Sequence, residues 1–454
     1  MDVSLPYGES TLRAELPDRA LVIRQGGGGR GRIEPAADQG QAVRDALAAP
    51  LGMARMGELV RAGSRVVVAF DDGTVSTTPG VRRVLINATL EELESAGVAE
   101  SDVTLLCANA LHRKWTRDEL SRMLGDDLVQ RFGGRLICHD AEDAENLVYY
   151  GRTAEHGYDV EVNRLVRDSD LAVYLNCGVS LGFTGGWKSV VVGLSTWRSI
   201  RWTHTPDGMS MSVRDNRMHA VFDEMGARLE ERLGKRVFKV ETLNAAPGRI
   251  ARVWAGGVRE TRAAVMEVQT ALSPPRREAT PVRADIVVYG LGNSSPYAAF
   301  ARPNPILTLI SSGLGYQGGY IEALGKPGCS VVLATPCPDD WDREHHPAYP
   351  EVWDRVLPAT KDPYEISARF GEEFATHRSY IEMYRHGFAY HPVHAILATH
   401  PLKRLNHAGR VYVAGAHDPD VPRHIGFIPT HTVEEAIAAA EKVHGRDCSI
   451  VCIG

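Results

Sequence analysis

Three short polar stretches hold the residues most able to do chemistry in this chain of 454 residues. In one, Gly182-Phe-Thr-Gly185-Gly186-Trp187-Lys188-Ser189, the lysine stands sixteen residues ahead of His204. A Gly-Gly pair lets the backbone approach a ligand closely, and it presents Lys188 at or near a helix start. Desolvation and the positive end of a helix dipole disfavour the lysine's charge there and favour a neutral, nucleophilic amine. The spacing of a phosphate-binding Walker loop is not met. Composition alone leaves a second reading open, a solvated lysine on a surface loop.

Another stretch is Asn109-Ala-Leu-His112-Arg113-Lys114-Trp115-Thr116. A histidine at a strand end suits proton transfer near neutral pH, although a lone histidine more often serves a structural role. The remaining stretch is Asp71-Asp72-Gly73-Thr74-Val75-Ser76-Thr77-Thr78-Pro79. Its hydroxyls and backbone N–H groups suit a phosphate or carboxylate at a helix N-terminus. They also suit plain helix capping.

The elements that must position these loops follow an alternating rhythm. Arg65–Phe70 is an apolar run bounded by turn residues, as buried parallel strands are. Val81–Ala96 has the spacing of an amphipathic helix, and Asp102–Cys107 that of the next strand. Thr116-Arg-Asp-Glu119 opens a helix with a capping-box start. Arg135–Cys138 and Ser169–Leu175 read as further strands, and Met209–Leu233 and Gly257–Leu272 as largely helical. Strands alternating with helices predict a parallel sheet covered on both faces.

The polar segment Ser273–Pro281 carries three prolines and precedes a fresh strand at Ala284–Tyr289, which marks a domain boundary. The second half alternates again: Ser330–Ala334, helices around 364–384, Val411–Gly415, a helix over Thr432–Val443, and Ser449–Cys452. The expected architecture is therefore two α/β domains with mainly parallel sheets and an active-site cleft between them. Residues 1–273 form the N-terminal domain carrying Lys188 and His204. Residues 282–454 form the C-terminal domain that closes the cleft, its last segment able to pack back on the first. Ligands sit where loops leave the carboxyl ends of such strands.

Hydrophobic residues make up 44% and charged residues 24%, the balance of a packed globular protein. A formal charge of -6 argues against nucleic-acid binding, which needs a basic surface. No apolar run reaches membrane-spanning length. The start, Met1–Glu9, has neither a basic nor an apolar signal region. The seven cysteines are scattered and lack paired metal-site spacing. They read as reduced thiols of a cytoplasmic protein.

The loops occur in an order that resembles the nickel-dependent lactate racemase family, whose members racemise or epimerise 2-hydroxy acids. The likeness runs through Tyr7-Gly8, Asp72-x-Thr74, His112-Arg113 with Thr116, and His139-Asp140. It continues in Asn146-Leu-Val-x-x-Gly151-x-Thr153, Asn163-Arg164, the Gly182–Ser189 element and His204 at the family's gap. Gly426-Phe427 and Thr432-Val-Glu-Glu-Ala436 close it.

The resemblance implies a nickel-pincer nucleotide, a pyridinium-3,5-bisthiocarboxylic acid mononucleotide carrying square-planar nickel. Lys188 would be its covalent anchor, His204 the nickel ligand and His112 a catalytic acid/base. Asp72, Gly73, Thr74, Gly185, Gly186 and Ser189 would complete the cofactor pocket. The family mechanism is hydride transfer from the carbinol carbon to the cofactor and back. Expected partners are a small hydroxy acid or sugar-acid-like substrate and the proteins that synthesise and load the cofactor.

The sequence departs from the family where substrate is held. Asn176–Leu181 contains no second catalytic histidine, and Val75 and Ser76 replace a carboxylate-gripping arginine. A Gln-x-x-Lys element is replaced within Tyr297–Ala301. A bidentate arginine supplies on the order of 1.5–3 kcal/mol per charged hydrogen bond. Its loss points away from lactate and toward a larger hydroxy acid, a sugar acid or a neutral polyol-like substrate. Ser76, Thr77, Arg113 and Lys114 are the candidate replacement contacts, and His391, His394 or His417 the candidate second base. Two further readings stand beside an isomerase: a nickel-pincer-dependent oxidoreductase, and a non-catalytic homologue that binds the cofactor or a nucleotide.

Overall fold

The computed structural model describes residues 1–23, 33–74, 79–178, 184–208, 216–272 and 283–454. Ser76, Thr77 and the first residues of the Gly182–Ser189 element lie outside them. The chain forms two compact units that are not contiguous halves. The larger comprises Gly31–Leu272 with Ile381–His391, and the smaller Met1–Arg30, Ser273–Tyr380 and Pro392–Gly454.

The larger unit is built on a six-stranded sheet in the order Arg249–Gly257, Phe238–Ala246, Leu171–Asn176, Val66–Asp71, Val103–Ala108, Leu136–Cys138. All neighbours are parallel except the first two, an antiparallel hairpin. Val66–Asp71 and Leu171–Asn176 are buried at every position. That is why their sequences are continuous apolar runs rather than alternations. The helices Pro79–Ser95, Arg217–Leu233 and Val258–Leu272 belong to this unit. The capping box expected at Thr116 is present, with the Thr116 hydroxyl accepting from Glu119 N and the Glu119 carboxylate accepting from Thr116 N.

The smaller unit's sheet runs Ile428–Thr430, Ala408–Ala414, Gly325–Ala334, Ala284–Gly292, and then Asp2–Gly8 and Ser10–Glu15. Ala284–Gly292 also pairs in parallel with Ile450–Ile453, which in turn pairs with Leu21–Ile23. The N-terminal strands therefore belong with the second half of the chain, because their backbone partners are there. Ile381–His391 joins the larger unit for the same kind of reason. Lys114 Nζ bonds Tyr384 O and Arg385 O, Tyr384 Oη bonds Ala141 N at 2.9 Å, and His391 N bonds Leu111 O at 3.1 Å.

The hairpin Phe238–Ala246/Arg249–Gly257 lies in a stretch to which the apolar patterning gave no element. Its central strand alternates Phe238, Val240 and Thr242 with Lys239 and Glu241, yet all five are buried. Strands with charged residues on a buried face do not look like core strands in sequence.

Two features of this unit carry measurable consequences. Gly226 lies in the middle of Arg217–Leu233, and a Cβ there would stand 2.1 Å from Trp187 Cδ2. Only glycine lets the helix backbone rest on that wholly buried indole. Gly226→Ala should cost about 1–3 kcal/mol through overpacking and shift the tryptophan emission, both read in one urea titration. An unchanged midpoint would show that the indole has room to move.

His139, also wholly buried, accepts from Asn163 Nδ2 on Nδ1 at 3.1 Å and donates from Nε2 to Ser195 O at 3.0 Å. Burial pushes its pKa down to about 4, below that of an unfolded histidine. Between those values the unfolded chain binds more protons, so stability falls as pH drops from ~6.5 toward 4, by roughly 3 kcal/mol. His139→Gln preserves one donor and one acceptor and should flatten that acid limb in denaturant midpoints measured between pH 4 and 7. An equally steep limb would assign the effect to His400, likewise pushed down by burial, to about 3.

Candidate functional site

The central strand of the larger unit ends in two consecutive carboxylates, Asp71 and Asp72, which take different directions. Asp71 accepts from Tyr174 Oη at 2.9 Å, Asn176 Nδ2 at 2.9 Å and Cys177 N at 2.7 Å, all from the neighbouring strand end. Burial, followed by the charge of Asp71, holds the Tyr174 phenol well above its ordinary range. Burial also pushes the Cys177 thiol up to about 12. Neither group ionises near neutral pH. Behind both carboxylates, the wholly buried Arg82 donates to Asp71 O at 2.7 Å and to Asp72 O.

Asp72 faces His112. Its Oδ2 lies 2.9 Å from His112 Nδ1, while Oδ1 accepts from the Thr74 hydroxyl at 2.6 Å. Thr74 Oγ1 spends its single proton on Asp72, so its 3.3 Å approach to His112 Nδ1 places an acceptor there. Both neighbours of Nδ1 are then acceptors, and Nδ1 carries the proton. In neutral imidazole the lone pair is then on Nε2, on the ring edge away from Asp72. A buried carboxylate that fixes the tautomer of a partly exposed histidine is the arrangement of a general base with its orienting group.

The loop that presents His112 is tightly held. Asn109 Nδ2 bonds Arg113 O at 2.6 Å, His112 N bonds Asn109 O at 2.7 Å, and Ala110 N bonds Gly193 O at 2.9 Å. Ala110 has φ 51°, a left-handed conformation that costs a non-glycine residue roughly 1–3 kcal/mol and persists only where neighbours enforce it. Arg113, 1% exposed, forms a two-pronged pair with Glu119 at 2.9 and 2.6 Å and lies over the Trp115 ring at 4.2 Å. Lys114 pairs with Asp140 at 2.7 Å. A Cβ on Gly73 would meet the same Trp115 ring at 2.8 Å, so the indole packs directly on the Asp72–Thr74 turn.

Lys188 begins the short helix Lys188–Val191, preceded by Gly185 and Gly186 with φ 82° and 58°. Burial lowers its pKa, with Asp71 and Asp72 opposing the shift. Its amine is therefore easier to deprotonate than that of a solvated lysine. Ser189 is buried, and its hydroxyl accepts from Lys239 Nζ.

His204 sits on the turn after Trp197–Ile200, with its N on Ile200 O at 3.0 Å. Thr203 Oγ1 donates to Ile200 O at 2.8 Å and lies 2.7 Å from His204 Nδ1. Since that hydroxyl proton is already used, Nδ1 carries hydrogen and the lone pair of the neutral ring is on Nε2.

The contacts thus join Asp72, Thr74 and His112, and set Lys188 in the field of the same aspartates. His204 is oriented separately, by its own turn. Of the candidate second bases, His391 Nε2 lies 3.0 Å from Glu142, His394 Nδ1 lies 2.7 Å from Tyr349 Oη, and His417 N is bonded to Pro336 O. Sequence reasoning missed Arg82, Lys239, Glu241 and Arg262. The signal available for two of them was a Lys-x-Glu pair at strand spacing inside an apolar segment.

A family profile described as the lactate racemase N-terminal domain matches residues 7–215. Lactate racemase of Thermoanaerobacterium thermosaccharolyticum is 27% identical over 208 residues, 45% of this chain and 46% of that protein. Lactate racemase of Lactiplantibacillus plantarum is 24% identical over 209 residues, 45% of this chain and 47% of that protein. The sequence match spans about half the length of these curated relatives. Similarity of fold reaches further. The lactate racemase apoprotein structure from T. thermosaccharolyticum aligns with TM-score 0.69 at 19% identity, covering 100% of this chain and 98% of that one. A Thermotoga maritima protein aligns with TM-score 0.53 at 15% identity, covering 93% and 97%. The first half of the chain thus resembles the lactate racemase N-terminal domain in sequence, and the whole chain shares the fold of the lactate racemase apoprotein.

Proposed function

We propose that this protein racemises or epimerises a 2-hydroxy acid or a related hydroxyl-bearing substrate, with His112 moving the hydroxyl proton. The observation that carries this reading is the Asp72–His112 pair. His112 accepts the proton on Nε2, and the resulting imidazolium is stabilised by the buried Asp72 carboxylate 2.9 Å from Nδ1.

The residues present suit a nickel-pincer nucleotide. Lys188 offers a desolvated amine with lowered pKa for covalent attachment. His204 would offer one imidazole nitrogen to the nickel, a donor type that suits Ni(II). When bound, the cofactor supplies the hydride acceptor and donor that the side chains lack. Gly185 and Gly186, with their left-handed backbone, would let the chain approach such a group closely, and Gly73 and Thr74 would contribute from the turn after Asp72.

Arg113 could reach substrate only by breaking its buried pair with Glu119, which is strongly destabilising, and Lys114 only by leaving the half-buried Asp140 and the Arg385 carbonyl. Ser76 and Thr77 are therefore the substrate contacts we retain. With Val75 and Ser76 in place of a gripping arginine, a substrate with more hydroxyl groups than lactate is favoured. The hydrogen bonds already held by His391 and His394 leave net oxidation on one face as the second reading.

Protein matured with the cofactor-synthesis proteins should contain one nickel per chain and a mass adduct on Lys188. Lys188→Met should lose the adduct, and His204→Ala should keep it while losing most of the nickel. Wild-type protein without adduct after maturation would overturn the assignment. His112→Ala should slow isotope exchange at the carbinol carbon by about 10²–10⁴-fold while leaving the adduct in place. Asp72→Asn should act in the same direction, because an amide can donate to Nδ1 and select the other tautomer. Accumulation of a keto product without inversion would move the protein to the oxidoreductase reading.

A further inference from the structure

The hairpin strand Phe238–Ala246 places two charged residues, Lys239 and Glu241, on one buried face, each with 0% exposure. A buried ion pair is retained at a cost, since well-packed apolar residues of similar volume are often as stabilising. The pair itself is loose, with Lys239 Nζ 3.8 Å from Glu241 Oε1, and Glu241 Oε2 has no hydrogen-bond partner among the described residues. Mutual attraction alone accounts poorly for such residues. Their closer contacts run outward, to the loop before and after Lys188.

Lys239 Nζ donates to the Ser189 hydroxyl, and Glu241 Oε1 accepts from Gly186 N. From the helix Val258–Leu272, Arg262 Nη1 donates to Thr184 O at 2.6 Å. The far side of the Arg262 guanidinium meets His219 Nε2 at 2.9 Å, on the helix that also packs Gly226 against Trp187. Three charged side chains thus grip residues 184, 186 and 189 and bracket Lys188. Lys239 also lies 4.2 Å over the Tyr174 ring, whose hydroxyl donates to Asp71. The gripping network and the carboxylates in whose field Lys188 sits are therefore one connected structure.

We infer that Lys239, Glu241 and Arg262 are positioning residues that hold the Thr184–Ser189 loop in the conformation presenting Lys188 for attachment of a ligand. This rests on the reading of Lys188 as the anchor. Burial pulls the Lys239 pKa down to about 8, with Glu241 opposing it, and burial pushes the Glu241 carboxyl up while Lys239 and Gly186 N restrain it. Both shifts are what a shared, dry position under the loop produces.

Loosening the grip lets water reach Lys188 and returns its amine toward ordinary lysine behaviour. The test is pulse labelling of the full-length apoprotein with acetic anhydride across pH 6–10, followed by peptide mass mapping of Lys188. Adduct yield after maturation is measured in parallel. Lys239→Met is the strongest variant, and Ser189→Ala and Arg262→Met remove single contacts with less risk to folding.

In variants with wild-type near-ultraviolet dichroism, the labelling midpoint of Lys188 should rise toward that of a solvated lysine. Labelling at pH 8 should slow by about tenfold for a one-unit rise, and adduct yield should fall with it. Folded variants with an unchanged or lowered midpoint and full adduct would overturn the inference, leaving the buried charges as core structure only. Wild-type chain that takes no adduct would instead overturn Lys188 as anchor, and the labelling comparison would still read the loop.

Discussion

The chemistry of the larger unit depends on one backbone position, the end of the central strand Val66–Asp71. Successive side chains at a strand end face opposite ways, so two adjacent carboxylates serve two environments. Asp71 turns inward and ties the neighbouring strand end through Tyr174, Asn176 and Cys177. Asp72 turns toward the loop and fixes the His112 ring. Arg82 balances both by holding their carbonyl oxygens. A shift of register at this strand would exchange the two roles and leave His112 without its partner.

Much of this was legible in the sequence. The apolar runs gave the parallel strands, and Thr116 and Glu119 gave a capped helix. The loops bearing Asp72, His112 and Lys188 all stand at carboxyl ends of strands, as the alternation of elements implied. The tautomer of His112 was not legible, because it depends on Thr74 spending its proton on Asp72. Nor could sequence show that Arg113 and Lys114 are committed to Glu119 and Asp140, since both ion pairs form only once the loop has folded.

The Lys239–Glu241 hairpin shows the limit most clearly. Apolar periodicity finds elements whose core faces are apolar, and this strand buries charge instead. Its partners are a hydroxyl and backbone groups from a loop some fifty residues away, and no local pattern encodes such a match. The interleaving of the two units has a similar origin. Asp2–Gly8 pairs with Ala284–Gly292, and Ile381–His391 seats itself beside Leu111 and Lys114, through contacts that sequence adjacency does not foretell.

That interleaving bears on how the protein is made. Domains usually fold in order as the chain emerges from the ribosome. Here the larger unit lacks its Ile381–His391 segment, with the Tyr384 hydroxyl and the carbonyls that receive Lys114, until most of the chain has been translated. The smaller unit likewise holds its first strands in wait for its last. Nascent chains therefore spend most of their synthesis with the smaller unit's sheet incomplete, and a truncation at Leu272 would release a larger unit with all six strands but without its Ile381–His391 segment.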